Sequence, residues 1–115
     1  MTQFVALLLS MVSEAAVAAA LVVALRWGNG VLAAAAAIIG TLATHWLAWW
    51  AIPHLEAVFG YAPAAAAVET AVVLAESIVY LLMVPLPNRR ALATSLVANG
   101  VSLGLGLAIY ALNLA

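Results

Sequence analysis

Residues 64–84 have the sequence AAAAVETAVVLAESIVYLLMV, an apolar run interrupted by two acidic side chains, Glu69 and Glu76. At a rise of about 1.5 Å per residue, this stretch is long enough as an α-helix to cross the roughly 30 Å hydrocarbon core of a bilayer. Comparable apolar stretches lie on both sides of it. Since lipid offers no hydrogen-bond partners to backbone polar groups, we predict four transmembrane α-helices, at about 4–25, 31–52, 64–84 and 91–113.

The composition indicates that lipid is the solvent of this chain. It is 70% hydrophobic and 6% charged, whereas a soluble domain carries about 25% charged residues. The first apolar stretch has no basic leading segment and contains Glu14, so we expect a retained span rather than a signal peptide. The predicted fold class is all-α: a polytopic membrane protein whose single domain, residues 1–115, is an up-down bundle of four transmembrane helices.

The composition also excludes several functions. Because the chain has no cysteine, disulfides, thiolate metal sites and redox chemistry at sulfur are ruled out. The net charge of −1 gives no support for a nucleic-acid-binding surface.

Turn-forming residues separate the predicted helices. Residues 26–30 (RWGNG) suit a tight turn, residues 53–63 are expected to form a longer loop between two prolines, and residues 85–88 (PLPN) end the third helix because proline cannot continue it. The Arg26-Trp27 turn and the Pro85 segment must lie on the same side of the membrane, because two spans separate them.

The few basic residues predict the orientation. Arg26, Arg89 and Arg90 are the only Lys or Arg residues, so the positive-inside rule places loops 26–30 and 85–90 in the cytoplasm and both termini outside. We therefore expect a multi-pass protein of the bacterial inner (plasma) membrane. Three tryptophans then lie in the outer part of helix 2, as in an interfacial aromatic belt: Trp46, Trp49 and Trp50.

One face of helix 4 combines small and polar residues at helical spacing: Ser95, Asn99, Ser102, Gly106 and Asn113. Gly100 and Gly104 form a GxxxG pair beside it. Such a face is ordinarily a packing seam, in which glycines such as Gly100, Gly104 and Gly106 let another helix approach. Asn99 needs a further explanation, because its amide has several hydrogen-bonding groups to satisfy in a dry interior.

The other polar residues also share faces: Ser10, Ser13 and Glu14 in helix 1, Thr41, Thr44 and His45 in helix 2, and Glu69, Glu76 and Tyr80 in helix 3. Counting residues along each helix places Glu69 and His45 about 8–10 Å below the outer surface, as expected partners. The same count puts Glu14 and Glu76 near mid-membrane and Asn99 slightly inward of them.

Ionisable side chains are costly in a bilayer, so those at mid-membrane depth are candidates for function. Two carboxyls at one depth in a low dielectric cannot both be ionised, so at least one of Glu14 and Glu76 should hold a proton. Such a group can exchange its proton for a cation. The structural alternative is a protonated carboxyl that only hydrogen-bonds a neighbouring helix.

Two resemblances bear on these residues. A glutamate at position 14, in the first of four helices of a chain of this length, resembles the small multidrug resistance transporters. That resemblance covers helix 1 and the overall layout, and it implies a dimer in which Glu14 binds protons and cationic drugs.

The second resemblance covers helices 2 to 4. Residues 44–50 (THWLAWW), Glu69 with Glu76, and residues 90–99 (RALATSLVAN) followed by Ser102 are similar to a pattern in an uncharacterised group of small prokaryotic four-helix membrane proteins. It implies that these residues matter without naming an activity.

Three functions follow as hypotheses. The first is an oligomeric ion- or proton-coupled transporter or channel, with Glu14 and Glu76 as the titrating site, His45 with Glu69 as an outer relay and Asn99 as an inner ligand. Its supporting residues would be Thr41, Thr44, Tyr80, Ser95 and Ser102. The second is an accessory or assembly subunit of a larger membrane complex, whose polar faces dock onto partner helices. The third is an intramembrane metal or haem site, with His45, Glu69 and Glu76 as metal ligands.

These hypotheses share their partners. Each requires the lipid bilayer, and the first two require either further copies of this chain or a larger complex. No cofactor is strongly implied, and an enzyme is the less favoured class.

Overall fold

The computed structural model describes residues 2–112 and confirms the all-helical prediction for that part of the chain. The described helices are α1 (Gln3–Ala24), α2 (Gly30–Phe59), α3 (Tyr61–Met83) and α4 (Asn88–Ala111). All four are long and apolar enough to cross a membrane. The predicted end of the fourth helix, including Asn113, lies outside the described residues.

Side-chain caps begin the first two helices. The Thr2 hydroxyl oxygen accepts a hydrogen bond from the Val5 backbone N–H at 3.2 Å. Asn29 Oδ1 accepts from the N–H groups of Val31 and Leu32 at 2.8 and 3.1 Å. These caps supply acceptors to N–H groups that have no partner within the helix.

The junction between α2 and α3 differs from the prediction. In place of a loop over residues 53–63, α2 runs through Pro53 to Phe59, and α3 begins at Tyr61. Proline removes one backbone donor and strains the helix, yet here it does not end it. Pro63 lies in the first turn of α3, where the backbone N–H would have no helical partner anyway. Gly60 alone makes the corner, with a φ of 85° that favours glycine.

The helices pack in chain order around a central space. α1 contacts α2 and α4, and α3 contacts the same two helices. The segments that join α1 to α2 and α3 to α4 lie at one end, because the Arg90 guanidinium is 5.4 Å from the centre of the Trp27 ring. Arg89 and Arg90, predicted to lie in a loop, are in the first turn of α4. They lie at the same end as Arg26, and this end is called the loop end below.

The half of the molecule nearer the loop end is tightly packed. Its core consists of small apolar side chains around Tyr80, which is fully buried: Ala18, Val22, Ala33, Ala36, Ala37, Val84, Leu86 and Ala91. Alanines let the helix backbones approach closely, so little space remains between them. The open space between the four helices lies in the other half.

Candidate functional site

A cavity of about 650 Å³, called the central cavity below, extends between all four helices toward the end opposite the loops. Its polar lining comes from each helix in turn: Ser10 and Glu14 of α1, Thr41, Thr44 and His45 of α2, Glu69 of α3, and Asn99 and Ser102 of α4. Three aromatic side chains line its outer part: Trp49, Tyr61 and Tyr110. The residues that the sequence proposed for the transport pathway and its support therefore share one cavity, except for Glu76, Tyr80 and Ser95.

Two buried acids lie at the inner end of this cavity. Glu14 lines it and is 3% exposed, while Glu76 is buried behind it and 1% exposed. α2 holds both: Thr41 Oγ1 donates to Glu14 Oε2 at 3.2 Å, and Thr44 Oγ1 lies 3.2 Å from Glu76 Oε2. The two carboxyls are direct neighbours, close enough to share a hydrogen bond.

A glycine that sequence analysis missed makes room for this pair. A β-carbon on Gly40 would lie 2.9 Å from Cγ of Glu76 and 3.5 Å from its Oε1. Side chains do not tolerate the shorter distance, so only glycine lets Glu76 lie against α2 in this way. The signal was present in the sequence: an isolated glycine inside a long alanine-rich helix, directly before Thr41, often marks a close approach.

Three buried oxygens at the inner end have no hydrogen-bond partner among the described residues: Glu14 Oε1, Glu76 Oε1 and the Tyr80 hydroxyl. A buried acceptor without a donor is costly, and two ionised carboxylates side by side would add repulsion. A proton on either carboxyl removes that repulsion and turns one acceptor into a donor. The arrangement of Glu14 and Glu76 is therefore suited to holding one proton between two acids.

His45 and Glu69 line the central cavity without bonding to each other, so the predicted pair is not formed. His45 Nε2 lies 3.2 Å from the Gln3 carbonyl oxygen of α1, and its ring centre is 5.8 Å from that of Trp49. Within residues 2–112, the Glu69 carboxyl makes no hydrogen bond or ion pair. The separation follows from helix rotation, which turns His45 toward α1 rather than toward α3.

The proposed metal ligands do not converge either. In the described part of the chain, no three acidic or histidine side chains lie close enough together to hold a metal ion. His45 bonds to the Gln3 carbonyl oxygen of α1, Glu69 lies on the cavity wall, and Glu76 is buried behind Glu14.

Two serines of α4 bond to neighbouring helices, whereas Asn99 bonds within α4. Ser95 is buried and donates to the Val73 carbonyl oxygen of α3 at 2.7 Å. Asn99 Nδ2 donates to the Ser95 carbonyl oxygen at 2.8 Å, and Ser102 Oγ donates to Ser10 Oγ of α1 at 3.2 Å. Asn99 and Ser102 thus line the central cavity while being held by hydrogen bonds.

No other helix of the same chain packs against the glycines of α4 in the described residues. A β-carbon on Gly100, Gly104 or Gly106 would meet no atom within 4 Å. Gly106 lines the central cavity instead. The packing role predicted for Gly100 and Gly104 therefore stays a prediction about a contact with another chain.

The tryptophans of α2 divide into two groups. Trp46 and Trp50 are 61% and 57% exposed, as an interfacial position requires. Trp49 instead contributes to the lining of the central cavity beside His45.

No protein-family model, curated protein or solved structure matches this chain.

Proposed function

We propose that this chain is an integral membrane protein that moves protons, or exchanges protons for a cation, across the bilayer through the Glu14–Glu76 pair. One observation carries the proposal: two buried, neighbouring carboxyls lie at the inner end of the central cavity, Glu14 in its lining and Glu76 directly behind Glu14. The core around Tyr80 separates this pair from the loop end.

The cost of these acids favours a functional role. Each ionisable group at the bilayer centre costs at least roughly 2.5–3.5 kcal/mol on insertion scales. A purely structural role would be met by one polar group that hydrogen-bonds its neighbour. Glu14 and Glu76 instead leave one oxygen each without a donor, which is a high-energy arrangement unless a proton or a cation occupies it.

The arginines support an orientation. Arg26, Arg89 and Arg90 all belong to the loop end, which the positive-inside rule assigns to the cytoplasm. Both termini and the mouth of the central cavity then face the outside of a bacterial inner membrane. In this state the acid pair exchanges protons or cations with the outside. Transport also requires a second state, in which the packed half opens toward the cytoplasm.

The central cavity accommodates more than a bare ion. At about 30 Å³ per water in the liquid, 650 Å³ holds roughly 20 water molecules. A proton reaches Glu14 through such water, and a hydrated cation fits beside Asn99 and Glu69. Because the cavity does not extend through the packed half around Tyr80 in the described residues, we expect the complete pathway to involve more than one copy of the chain.

One observation favours a second function, an accessory subunit of a larger membrane complex. Gly100 and Gly104 lie on an exposed face of α4 with open space at each, which suits the close approach of a helix from another protein. In this role the polar residues would bind partner side chains instead of transported ions.

Proton release tests the leading proposal. We expect detergent-purified protein to release protons near neutral pH when candidate monovalent or divalent cations are added, and Glu14→Gln and Glu76→Gln to remove that release. Glu56→Gln is the matched control, because Glu56 is an exposed acid near the end of α2. If none of the cations releases protons, and vesicles containing the protein show no proton flux, the accessory role replaces transport.

A further inference from the structure

The inner end of the central cavity contains three buried oxygens whose bonding the acid pair alone does not explain. Glu14 Oε1, Glu76 Oε1 and the Tyr80 hydroxyl have no hydrogen-bond partner among the described residues. Their side chains are 3%, 1% and 0% exposed. Thr41 and Thr44 lie at the other oxygen, Oε2, of each acid. α2 therefore positions both carboxyls and leaves their Oε1 atoms available to a ligand.

The Tyr80 hydroxyl belongs to the same place as the two acids. Tyr80 follows Glu76 by four residues on α3, so the two side chains share a helix face, and the charges of Glu76 and Glu14 both act on Tyr80. A single proton shared by the carboxyls would serve two of the three oxygens and leave the hydroxyl without a partner. A bound cation, in contrast, accepts lone pairs from all three oxygens at once.

The acid pair has no basic partner in the described chain. The three arginines lie at the loop end, and His45 is turned toward α1. Glu69, on the cavity wall, adds a further negative charge that acts on both acids. An uncompensated charge in a low dielectric is costly, so the favourable states of the pair are neutral. These states hold two protons, one proton with one monovalent cation, or one divalent cation.

The position of the pair selects the monovalent cation. Glu14 lines the central cavity but Glu76 lies behind it, so a cation that contacts both acids loses much of its water. The energy of dehydration rises with the square of the charge, and it is about four times larger for a divalent ion of the same size. Ca²⁺ also takes about six to eight oxygen ligands, and Mg²⁺ dehydrates reluctantly. The alanine-rich core that closes this end leaves little room, which favours a small ion.

We propose that the Glu14–Glu76 pair binds one small alkali cation, for which Na⁺ is the probe, in place of one proton, with the Tyr80 hydroxyl as a neutral ligand. One Na⁺ enters the site as one proton leaves to the water of the cavity, and the other carboxyl keeps its proton. The two loaded forms therefore have the same charge, and the exchange moves no net charge across the bilayer. This inference rests on the proposed function and names the ion that the acid pair exchanges.

Calorimetric titration of the detergent-purified full chain with NaCl tests the proposal, with KCl and MgCl₂ as comparison titrants at constant ionic strength. We expect one Na⁺ site per chain. Titrations in buffers of different protonation enthalpy should show one proton released for each Na⁺ bound. The Na⁺ affinity should then rise about tenfold per pH unit wherever the displaced proton is still bound, whereas a cation that displaces two protons gives about a hundredfold rise.

Tyr80→Phe tests the hydroxyl as a ligand, because phenylalanine keeps the ring in the core. We expect the Na⁺ affinity to fall about tenfold, with one proton still released for each Na⁺ bound. Tyr61→Phe is the matched control, since it removes the same group from an exposed residue of the outer cavity lining, and it should keep the wild-type affinity. An unchanged affinity in Tyr80→Phe would overturn the proposed site, as would equal losses in the two variants.

Proton flux in vesicles distinguishes failure of this inference from failure of the proposed function. Flux that is lost in Glu76→Gln, in a protein that binds no Na⁺ or binds K⁺ or Mg²⁺ at least as tightly, would overturn the alkali cation and retain the acid pair as a proton carrier. The absence of both Na⁺ binding and proton flux would overturn both. A rate of Na⁺-driven proton flux that changes with an imposed membrane potential would contradict one-for-one exchange.

Discussion

A β-carbon on Gly40 would lie 2.9 Å from Cγ of Glu76, so α2 and α3 meet where the buried acid lies. The contact explains why Glu76 is 1% exposed while its carboxylate still reaches Thr44. The position of the acid is thus determined by a missing side chain on the opposite helix.

Gly40→Ala should destabilise the protein despite the higher helix propensity of alanine. The gain in propensity is about 1 kcal/mol, whereas overpacking a tight contact typically costs about 1–3 kcal/mol. Displacement of Glu76 should also reduce proton release. Thermal unfolding in detergent measures the first effect. Gly104→Ala, which adds a methyl group to open space, should be neutral or stabilising, and equal behaviour of the two variants would contradict the contact.

Thr41→Val should lower the free energy of unfolding, because it leaves Glu14 Oε2 without its hydrogen-bond donor. Removing one partner of a buried hydrogen bond costs about 1–3 kcal/mol. Denaturant unfolding would measure the loss. Thr70→Val serves as the control, because the Thr70 hydroxyl is exposed and donates only to the Ala66 carbonyl oxygen of its own helix. A loss in Thr70→Val as large as in Thr41→Val would show that the substitution itself, rather than the Glu14 contact, is responsible.

Two substitutions of Tyr80 should distinguish the contribution of its hydroxyl from that of its buried ring. Tyr80→Phe removes a buried hydroxyl that has no partner in the described chain, so we expect stability to be unchanged or to rise by up to about 1 kcal/mol. Tyr80→Ala creates a cavity in the packed half and should cost about 3–5 kcal/mol. It should also raise passive proton leak in vesicles loaded with a pH-sensitive dye. A large loss of stability in Tyr80→Phe would mean that the hydroxyl has a partner.

His45 and Glu69 should behave as independent residues. His45 contacts Gln3 and Trp49, while Glu69 bonds to neither His45 nor any other described residue. A double-mutant cycle with His45→Ala and Glu69→Gln, followed by thermal unfolding, should give a coupling energy within about 0.5 kcal/mol of zero. A coupling energy above 1 kcal/mol would instead support the interaction between His45 and Glu69 that the sequence predicts.

Glu76→Gln should abolish proton-linked activity and leave the fold intact, because glutamine keeps the shape and the hydrogen bond to Thr44 but cannot release a proton. Proton flux in vesicles under an imposed pH gradient measures the effect. Glu56→Gln should retain wild-type flux. Equal flux in wild type and Glu76→Gln would remove Glu76 from the mechanism.

The sequence by itself determined the four helices and the residues to suspect. Hydropathy and helix length are local properties, since any apolar stretch of this length must satisfy its own backbone hydrogen bonds in lipid. The same reasoning singled out Glu14 and Glu76, because an acid in an apolar stretch is costly wherever the helix packs. Local reasoning was wrong at Pro53, where the surrounding helix tolerates the lost donor.

Only the tertiary structure decided which of these residues meet. Counting along each helix estimates depth, but contacts depend also on rotation about the helix axis, which packing between neighbouring helices sets. Rotation of α2 brings Thr41 and Thr44 to the acids of α1 and α3, and it turns His45 toward Gln3 instead of Glu69. The room that Gly40 leaves for Glu76 depends equally on how closely α2 and α3 approach, and that distance is a property of the two helices packed together.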